Sequence, residues 1–544
     1  MINYAIETKK IIKETNPSKH NPTYDASMYW SQKAYNVADG LISLYTKKGD
    51  VIFDPFLGSG VTLIESVSDE MSRKAIGCEI NDEPIFLINS FLKKRKVKHE
   101  KERLALFLKQ LDDLEERYYV TTCPGCGATA VIKQVIFDKT SNGIKIKKIN
   151  FNSHSEKCKV LFKDGDAFDY ENMIRKYPIF NIQNIELIPN SKLAVKEGMH
   201  ISDLFTNRNF KVLDEILELK KEFVDISDLI DYVLVGIIHL SKITDTHSNS
   251  QWPLWTPYKD CVEKNVISIF KRRAKKVLKA ISFKETNFKK TYLAPSYASM
   301  KRNCGYIIFK KGVQNLKIED VPDESVDFIL TDPPYLGQVA YSEYMQLYKP
   351  FLDFAFNLDD EIIVSSSPKR SKDTKNYFSL MEKAFKVCSQ KLKPSHYMCM
   401  YFHDCNLAVW NSLITIMEEN GLKYLTQVHV DKTITLKNII SPKKSLNGDS
   451  LLVFQKINNY HHTKPGKETI TEIEENLIRE AKHMILVNGP QTTPELYDNG
   501  LMEIIIANNW LETLSAKYKT LVEIFEKYLL WDSQSSRWCL NQNK

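Results

Sequence analysis

Apolar residues gather along this chain in short runs bounded by turn formers, at 51–54, 75–80, 306–309, 326–330, 397–402, 426–430 and 451–455. Each run has the length of a buried strand. Elsewhere the spacing shifts to one apolar residue every three or four, the period of an amphipathic helix, as near 81–92, 378–392 and 407–420. Strands alternating with helices predict an α/β fold, a doubly wound sheet covered on both faces. The seven strands fall in two blocks, 22–95 and 296–457, so one domain is interrupted by a long insertion. The expected boundaries are 1–99 for the first half, 100–295 for the insertion, 296–460 for the second half and 461–544 for a small helical C-terminal domain. Within the insertion, helical spacing covers 100–117, 201–205, 212–223, 229–242 and 260–281, and in the tail Thr493-Pro494-Glu495 reads as a helix start.

The first strand runs straight into Asp54-Pro55-Phe56-Leu57-Gly58-Ser59-Gly60. A glycine turn between a strand and a helix lets backbone N–H groups approach a ligand closely, and Asp54 adds a carboxylate. Glu79 closes the second strand about twenty residues later, where a nucleotide fold places the acid that holds a ribose. No Lys follows the second glycine, so a triphosphate-binding loop is excluded.

Composition adds less. With 544 residues and 43% hydrophobic content the chain can bury several cores, and a net charge of +7 suits a polyanionic partner without requiring one. The first twenty residues hold no apolar secretory segment, and the longest apolar run, 232–240, is too short to span a bilayer. A cytoplasmic protein is the expectation.

Cysteine spacing changes the picture more. Cys123-Pro124-Gly125-Cys126 brings two thiolates together on a tight turn, and His154 and Cys158 follow across a segment of hairpin composition, a four-ligand set suited to structural Zn2+. Further on, the polar and aromatic stretch 244–255 has no helical period. There Asn249 and Gln251 are candidate readers of base edges and Trp252 a candidate stacking or wedging ring, with a core anchor as the equal alternative for the Trp. The helix after it carries Lys271, Arg272, Arg273, Lys275 and Lys276, a charge density that fits a phosphate backbone. The basic run 93–98 reads as a solvated face or a second phosphate contact.

The glycine turn, together with Thr331-Asp332-Pro333-Pro334-Tyr335 at the end of the fourth strand, resembles the paired motifs of the amino-methylating DNA methyltransferases, the adenine-N6 and cytosine-N4 family. The resemblance covers about 25–95 and 300–457, and 341–344 is similar to a segment of zinc-bearing bacterial members. It implies a Rossmann-like sheet, S-adenosyl-L-methionine at Asp54, Pro55, Phe56, Gly58, Ser59, Gly60 and Glu79, and closure over its methionine end by Ser31, Gln32 and Lys33. It also implies catalysis at Asp332, Pro333, Pro334 and Tyr335. An exocyclic amine is a poor nucleophile because its lone pair is delocalised into the ring. The Asp332 carboxylate and the Pro333 carbonyl can accept its two N–H bonds, and Tyr335 offers a face for an extruded base. Asp at the first motif position favours adenine N6; cytosine N4 and tRNA guanine N2 are the alternatives. Double-stranded DNA is the implied partner. The resemblance extends to a bacterial, nucleoid-associated enzyme of restriction-modification or phage defence, with a restriction endonuclease, another defence subunit or a second copy as further partners. Gly312-Val313 stands where many relatives have Gly-Asp, which removes a usual contact to the cofactor's adenine.

Overall fold

Side chains on successive strand residues point to opposite faces of a sheet, and here both faces are buried. Val51, Phe53, Ile329 and Met400 belong to one apolar cluster, while Ile52, Phe328, Leu330 and Cys399 belong to another. The computed structural model describes residues 2–123, 126–141, 143–152, 170–246, 253–431, 442–444, 446–458, 460 and 468–541. In chain order its strands are β1 Val51–Asp54, β2 Lys74–Glu79, β3 Val120–Thr122, β4 Thr129–Thr140, β5 Gly143–Phe151, β6 Cys261–Lys264, β7 Tyr292–Leu293, β8 Gly305–Lys310, β9 Val326–Thr331, β10 Leu392–Phe402, β11 Leu422–Asp431, β12 Gly448–Lys456, β13 Leu529–Asp532 and β14 Arg537–Leu540.

Eight of these make one sheet in the order β11-β12-β10-β9-β1-β2-β8-β7. Pairing is parallel from β7 to β10, whereas β12 runs antiparallel to both β10 and β11. The doubly wound α/β fold is therefore present, with one more strand than expected, the short edge strand β7, and one strand reversed. From β1 the chain passes through the helix Val61–Ser66 to β2 on one side, while β9 flanks β1 on the other. Such a switch in strand order opens a crevice at the carboxyl ends of the strands.

The insertion holds the helices Val97–Tyr119, Asn207–Lys220, Ser227–Ser241 and Val266–Asn287 and the antiparallel hairpin β4–β5 extended by β6, and it meets the first half through Ser227–Ser241 and Val266–Asn287, which pack on the helices Asp82–Leu92 and Pro22–Asp25. The helix expected from 260 starts only at Val266. Residues Cys261–Lys264 pair with β4, and the Asn265 side chain accepts the Ser268 N–H at 2.9 Å to cap the helix. Strand pairing has overridden an apolar spacing that was compatible with either element. Nor is the basic run 93–98 simply a solvated face. The Arg95 side chain is buried, 3.0 Å from Asp228 and 3.4 Å from Glu100.

The C-terminal helices Ile470–Asn488, Met502–Ala507, Leu511–Lys517 and Val522–Tyr528, with the hairpin β13–β14, contribute to the same buried cluster as β10 and β12. Asp498 is buried and accepts hydrogen bonds from His429 Nδ1 at 2.7 Å, Gln427 Nε2 at 2.5 Å and Ser450 Oγ at 2.7 Å. Among the described residues no helix is long and apolar enough to cross a membrane.

Candidate active site

Two chambers open at the carboxyl edge of β1, β2 and β9. The larger lies over the glycine turn and is lined by Asp54, Pro55, Phe56, Gly58, Ser59 and Glu79. The smaller lies over Asp332-Pro333-Pro334-Tyr335, with His403 and Asp449 on its far side. Ser31, Lys33, Asp332, Pro334 and Tyr341 line both and form their common wall.

The glycine turn is held from beneath. Asp54 Oδ1 accepts the Thr331 hydroxyl at 2.7 Å and the Phe56 N–H at 3.2 Å, tying the end of β1 to the end of β9. Glu79 accepts N–H bonds from Gly58 at 3.0 Å, Ile80 at 2.8 Å and Asn81 at 3.0 Å, so the acid ending β2 fixes the turn after β1. The two glycines differ in role. Gly58, at φ +46°, faces the Tyr29 ring; Gly60, at φ +75°, starts the next helix, and a Cβ there would sit 2.5 Å from Ile88. Burial pushes the carboxyls of Asp54 and Glu79 up to about 7, with the hydrogen bonds just named pulling in the other direction.

At the common wall Lys33 Nζ lies 3.0 Å from Asp332 Oδ2 and 2.7 Å from Asp449 Oδ2, and 4.8 Å from the centre of the Tyr401 ring. Burial alone would lower the pKa of this ammonium, but the two carboxylates outweigh it and hold it above the ordinary lysine range. The Tyr335 hydroxyl donates to Asp332 Oδ1. Burial raises the Asp332 carboxyl, Asp449 adds to that, and Lys33 opposes it. Tyr377 donates to the Pro334 carbonyl at 2.7 Å, and Ser31 and Leu336 adopt positive φ values of 63° and 43°. Left-handed backbone at non-glycine residues persists only where surroundings enforce it, and such residues cluster at functional sites.

The structure thus brings together Ser31, Lys33, Asp54, Pro55, Phe56, Gly58, Ser59, Glu79, Asp332, Pro333, Pro334 and Tyr335. Gly312 and Val313 also line the larger chamber, although the acid usual after that glycine is missing. Asn249, Gln251 and Trp252 lie outside the described residues, as do His154 and Cys158 of the cysteine set. Cys123 is buried and Cys126 exposed, and among the described residues no three Cys, His, Asp or Glu side chains converge as a metal site. On the basic helix Lys271 is bound to Asp112 at 2.7 Å and Glu115 at 2.6 Å, and Arg273 donates to the carbonyls of Asp25 and Ala26 at 2.9 and 3.1 Å. Arg272, Lys275 and Lys276 are exposed. Asp449, Tyr401 and His403 did not stand out in the sequence. The available signal was Asp449 heading an apolar strand.

The DNA methylase family model for N6 and N4 enzymes matches residues 7–90 and 326–527, just over half of the chain, and leaves out the insertion. The chain belongs to this N6/N4 DNA methylase family. It is 22% identical over 336 residues to the type II methyltransferase M.MjaII of Methanocaldococcus jannaschii; the match takes in 54% of this chain and 56% of that protein. The chain therefore spans little more than half of that relative's length. Among solved structures, a Thermus thermophilus protein assigned as a DNA modification methylase aligns with a TM-score of 0.16 at 11% identity, over 31% of this chain and 61% of that one. A Listeria monocytogenes protein assigned as a class I S-adenosylmethionine-dependent methyltransferase aligns with a TM-score of 0.17 at 12% identity, over 46% and 53%. At those scores neither carries a structural argument.

Proposed function

We propose that this protein moves a methyl group from S-adenosylmethionine to the N6 amine of adenine in double-stranded DNA, the target base being turned out of the duplex into the smaller chamber. The observation that carries this reading is the meeting of the two chambers at Asp332 and Lys33.

The larger chamber suits S-adenosylmethionine by charge. Asp54, Glu79 and Asp332 line it, and the ammonium groups of Lys33 and Lys311 are already paired with carboxylates. A cationic ligand is favoured there and a phosphate disfavoured. Glu79 would hold the ribose hydroxyls, Phe56 and Val313 would flank the adenine, and Ser31 and Asp54 would face the methionine end. Bound S-adenosylmethionine supplies an electrophilic methyl group on its sulfonium. The protein's own part is to make the amine nucleophilic. The Asp332 carboxylate and the Pro333 carbonyl accept its two N–H bonds, and Tyr335 stacks on the extruded ring. A carboxyl raised by burial is also suited to hold the proton that the methylated amine sheds.

Mass spectrometry of nucleosides from duplex DNA and tRNA incubated with methyl-labelled cofactor tests this. N6-methyladenine from the duplex is expected. N4-methylcytosine alone would move the assignment to the other base, methylguanosine from tRNA alone would move it to RNA, and no incorporation into either would overturn it.

A pH dependence follows from the two raised carboxyls. With Asp54 and Glu79 near 7 in the unliganded protein, a cation binds best once they are ionised. Calorimetric titration should show cofactor affinity rising between pH 6 and 8, by at most about tenfold per pH unit per group, with proton release on binding at the acid end. A flat profile would mean that neither carboxyl meets the ligand's charge.

Structural zinc at Cys123, Cys126, His154 and Cys158 belongs to the same reading. The Gly127 N–H donates to the Cys123 carbonyl at 2.7 Å and the Cys123 N–H to that of Ala128, also at 2.7 Å, which closes the kind of turn that half such a site needs. Metal analysis should return about one zinc per chain, lost in Cys126→Ser while cofactor binding survives. Site recognition is assigned to the insertion, with the exposed Arg272, Lys275 and Lys276 on the backbone and 244–255 at the bases. A restriction-modification or phage-defence setting, with an endonuclease, another defence subunit or a second copy as partner, completes the proposal.

A further inference from the structure

The Lys33 ammonium is shared between two carboxylates from opposite ends of the second half of the chain, and the sharing is unequal. It is 2.7 Å from Asp449 Oδ2 and 3.0 Å from Asp332 Oδ2. Asp449 is 1% exposed, and its neighbour Ser450 is tied to the buried Asp498 at 2.7 Å. This second carboxylate is therefore held on the framework of β12. Asp332, by contrast, lies at the end of β9 where the chain leaves the sheet, and it lines both chambers.

One oxygen of Asp332 accepts the Tyr335 hydroxyl and the other faces Lys33. Each oxygen keeps a further acceptor site, but an N–H of the target amine that takes one competes with Lys33 and Tyr335 for the carboxylate's charge and weakens its hold on the ammonium. Releasing a buried ammonium with no second carboxylate to receive it would leave a desolvated charge unpaired, which is among the costliest arrangements a protein can adopt.

We propose that Asp449 is a positioning residue of the methyl-transfer site, keeping the Lys33 ammonium in place when Asp332 turns its charge to the amino group of the target base. The inference rests on the methyltransferase reading of this same site. With Asp449 present the cluster carries two carboxylates against one ammonium. The excess negative charge makes Asp332 a stronger hydrogen-bond acceptor, and the longer of the two ion pairs is the one that opens. Without Asp449, Asp332 is left as the one carboxylate beside Lys33 among the described residues, and an incoming amine must compete with a full ion pair.

The groups facing Asp332 are Lys33, Tyr335, Tyr341, Tyr401, Asp54 and Asp449, with His403 Nδ1 3.5 Å from Asp449 Oδ1. Of these, Asp449 raises the Asp332 carboxyl and Lys33 lowers it. Removing the Asp449 charge should therefore move the acid limb of the single-turnover rate at saturating cofactor to lower pH while reducing the rate.

The test is a single-turnover measurement on the full-length protein with duplex DNA and labelled S-adenosylmethionine. Asp449→Asn, which keeps the shape, should slow methyl transfer about 10- to 100-fold with cofactor affinity within about twofold of wild type. Asp449→Glu should recover part of the loss. Lys33→Met in the same assay closes the cycle. If Asp449 acts through Lys33, Asp449→Asn should cost little more once Lys33 is gone. Wild-type rates in Asp449→Asn, an unmoved acid limb, or the same cost with and without Lys33 would overturn the proposal. If Asp449→Asn melts early, comparing Asp449→Glu with wild type at a temperature where both are folded still decides it, and a loss as large as that of Asn counts against. Absence of methyl transfer in the wild type would instead overturn the functional reading itself.

Discussion

Asp332→Ala is expected to reduce methyl transfer by about three orders of magnitude or more while leaving the protein folded and able to bind cofactor. The loss follows from the electronics of the amine, since without a carboxylate acceptor its lone pair stays in the aromatic ring. Stability should change little, for a reason specific to this site. Lys33 keeps Asp449 at 2.7 Å, so no buried cation is left unpaired, and the repulsion between Asp332 and Asp449 disappears. Single-turnover kinetics beside thermal melting and cofactor titration separates these effects. Retained activity would remove Asp332 from the chemistry, whereas a collapsed melting temperature would mean that the loss reports on folding.

What the chain disclosed in advance was whatever is encoded locally. A parallel strand ending in an acid and a glycine turn is a contiguous signal, and Asp54, Gly58 and Asp332 line the chambers such signals predict, whereas Gly60 starts the next helix against Ile88 and is not among the lining residues. Glu79 was legible as an acid at the correct distance. Its second role, accepting the Gly58 N–H and so fixing the turn, depends on β1 and β2 lying side by side. Asp449 was not legible. In a parallel strand the ligand edge is at the end, but β12 is antiparallel, so its first residues reach that edge. Only the strand's direction, set by pairing with β10 and β11, makes an acid at its start a neighbour of Lys33, more than four hundred residues earlier. The basic helix shows the opposite limit. A run of Lys and Arg gives the charge of a face but not its use, and Lys271 and Arg273 are engaged within the protein. The strand at Cys261–Lys264 was masked by apolar spacing compatible with either element until β4 provided a partner.

Removing the C-terminal segment from residue 468 onward is expected to destroy the fold, not merely to alter target choice. An independent domain would carry its own core, but this segment completes one face of the sheet. Ile473, Leu477, Met502, Trp510 and Leu514 share a buried cluster with Met398, Trp410, Leu413, Leu452 and Phe454. Each large apolar side chain removed from water contributes about 1.5 to 3 kcal/mol, so exposing a handful of framework residues rivals the 5 to 15 kcal/mol by which domains are typically stable. Polar ties act in the same direction, because Asp498 accepts from Gln427 and His429 on the edge strand β11 and from Ser450 on its neighbour β12. Losing it should loosen β12 next to Asp449, so damage at this distant edge reaches the Lys33 cluster. Asp498→Ala, a far smaller lesion, should cost about 2 to 4 kcal/mol by leaving buried donors without their acceptor. Expression of the truncated chain, followed by melting curves and cofactor titration, checks this. Aggregation or a broad, early transition is expected. A soluble truncated protein with a wild-type melting curve and cofactor affinity would show that the segment folds apart from the sheet, and would leave target recognition or dimerisation as its task.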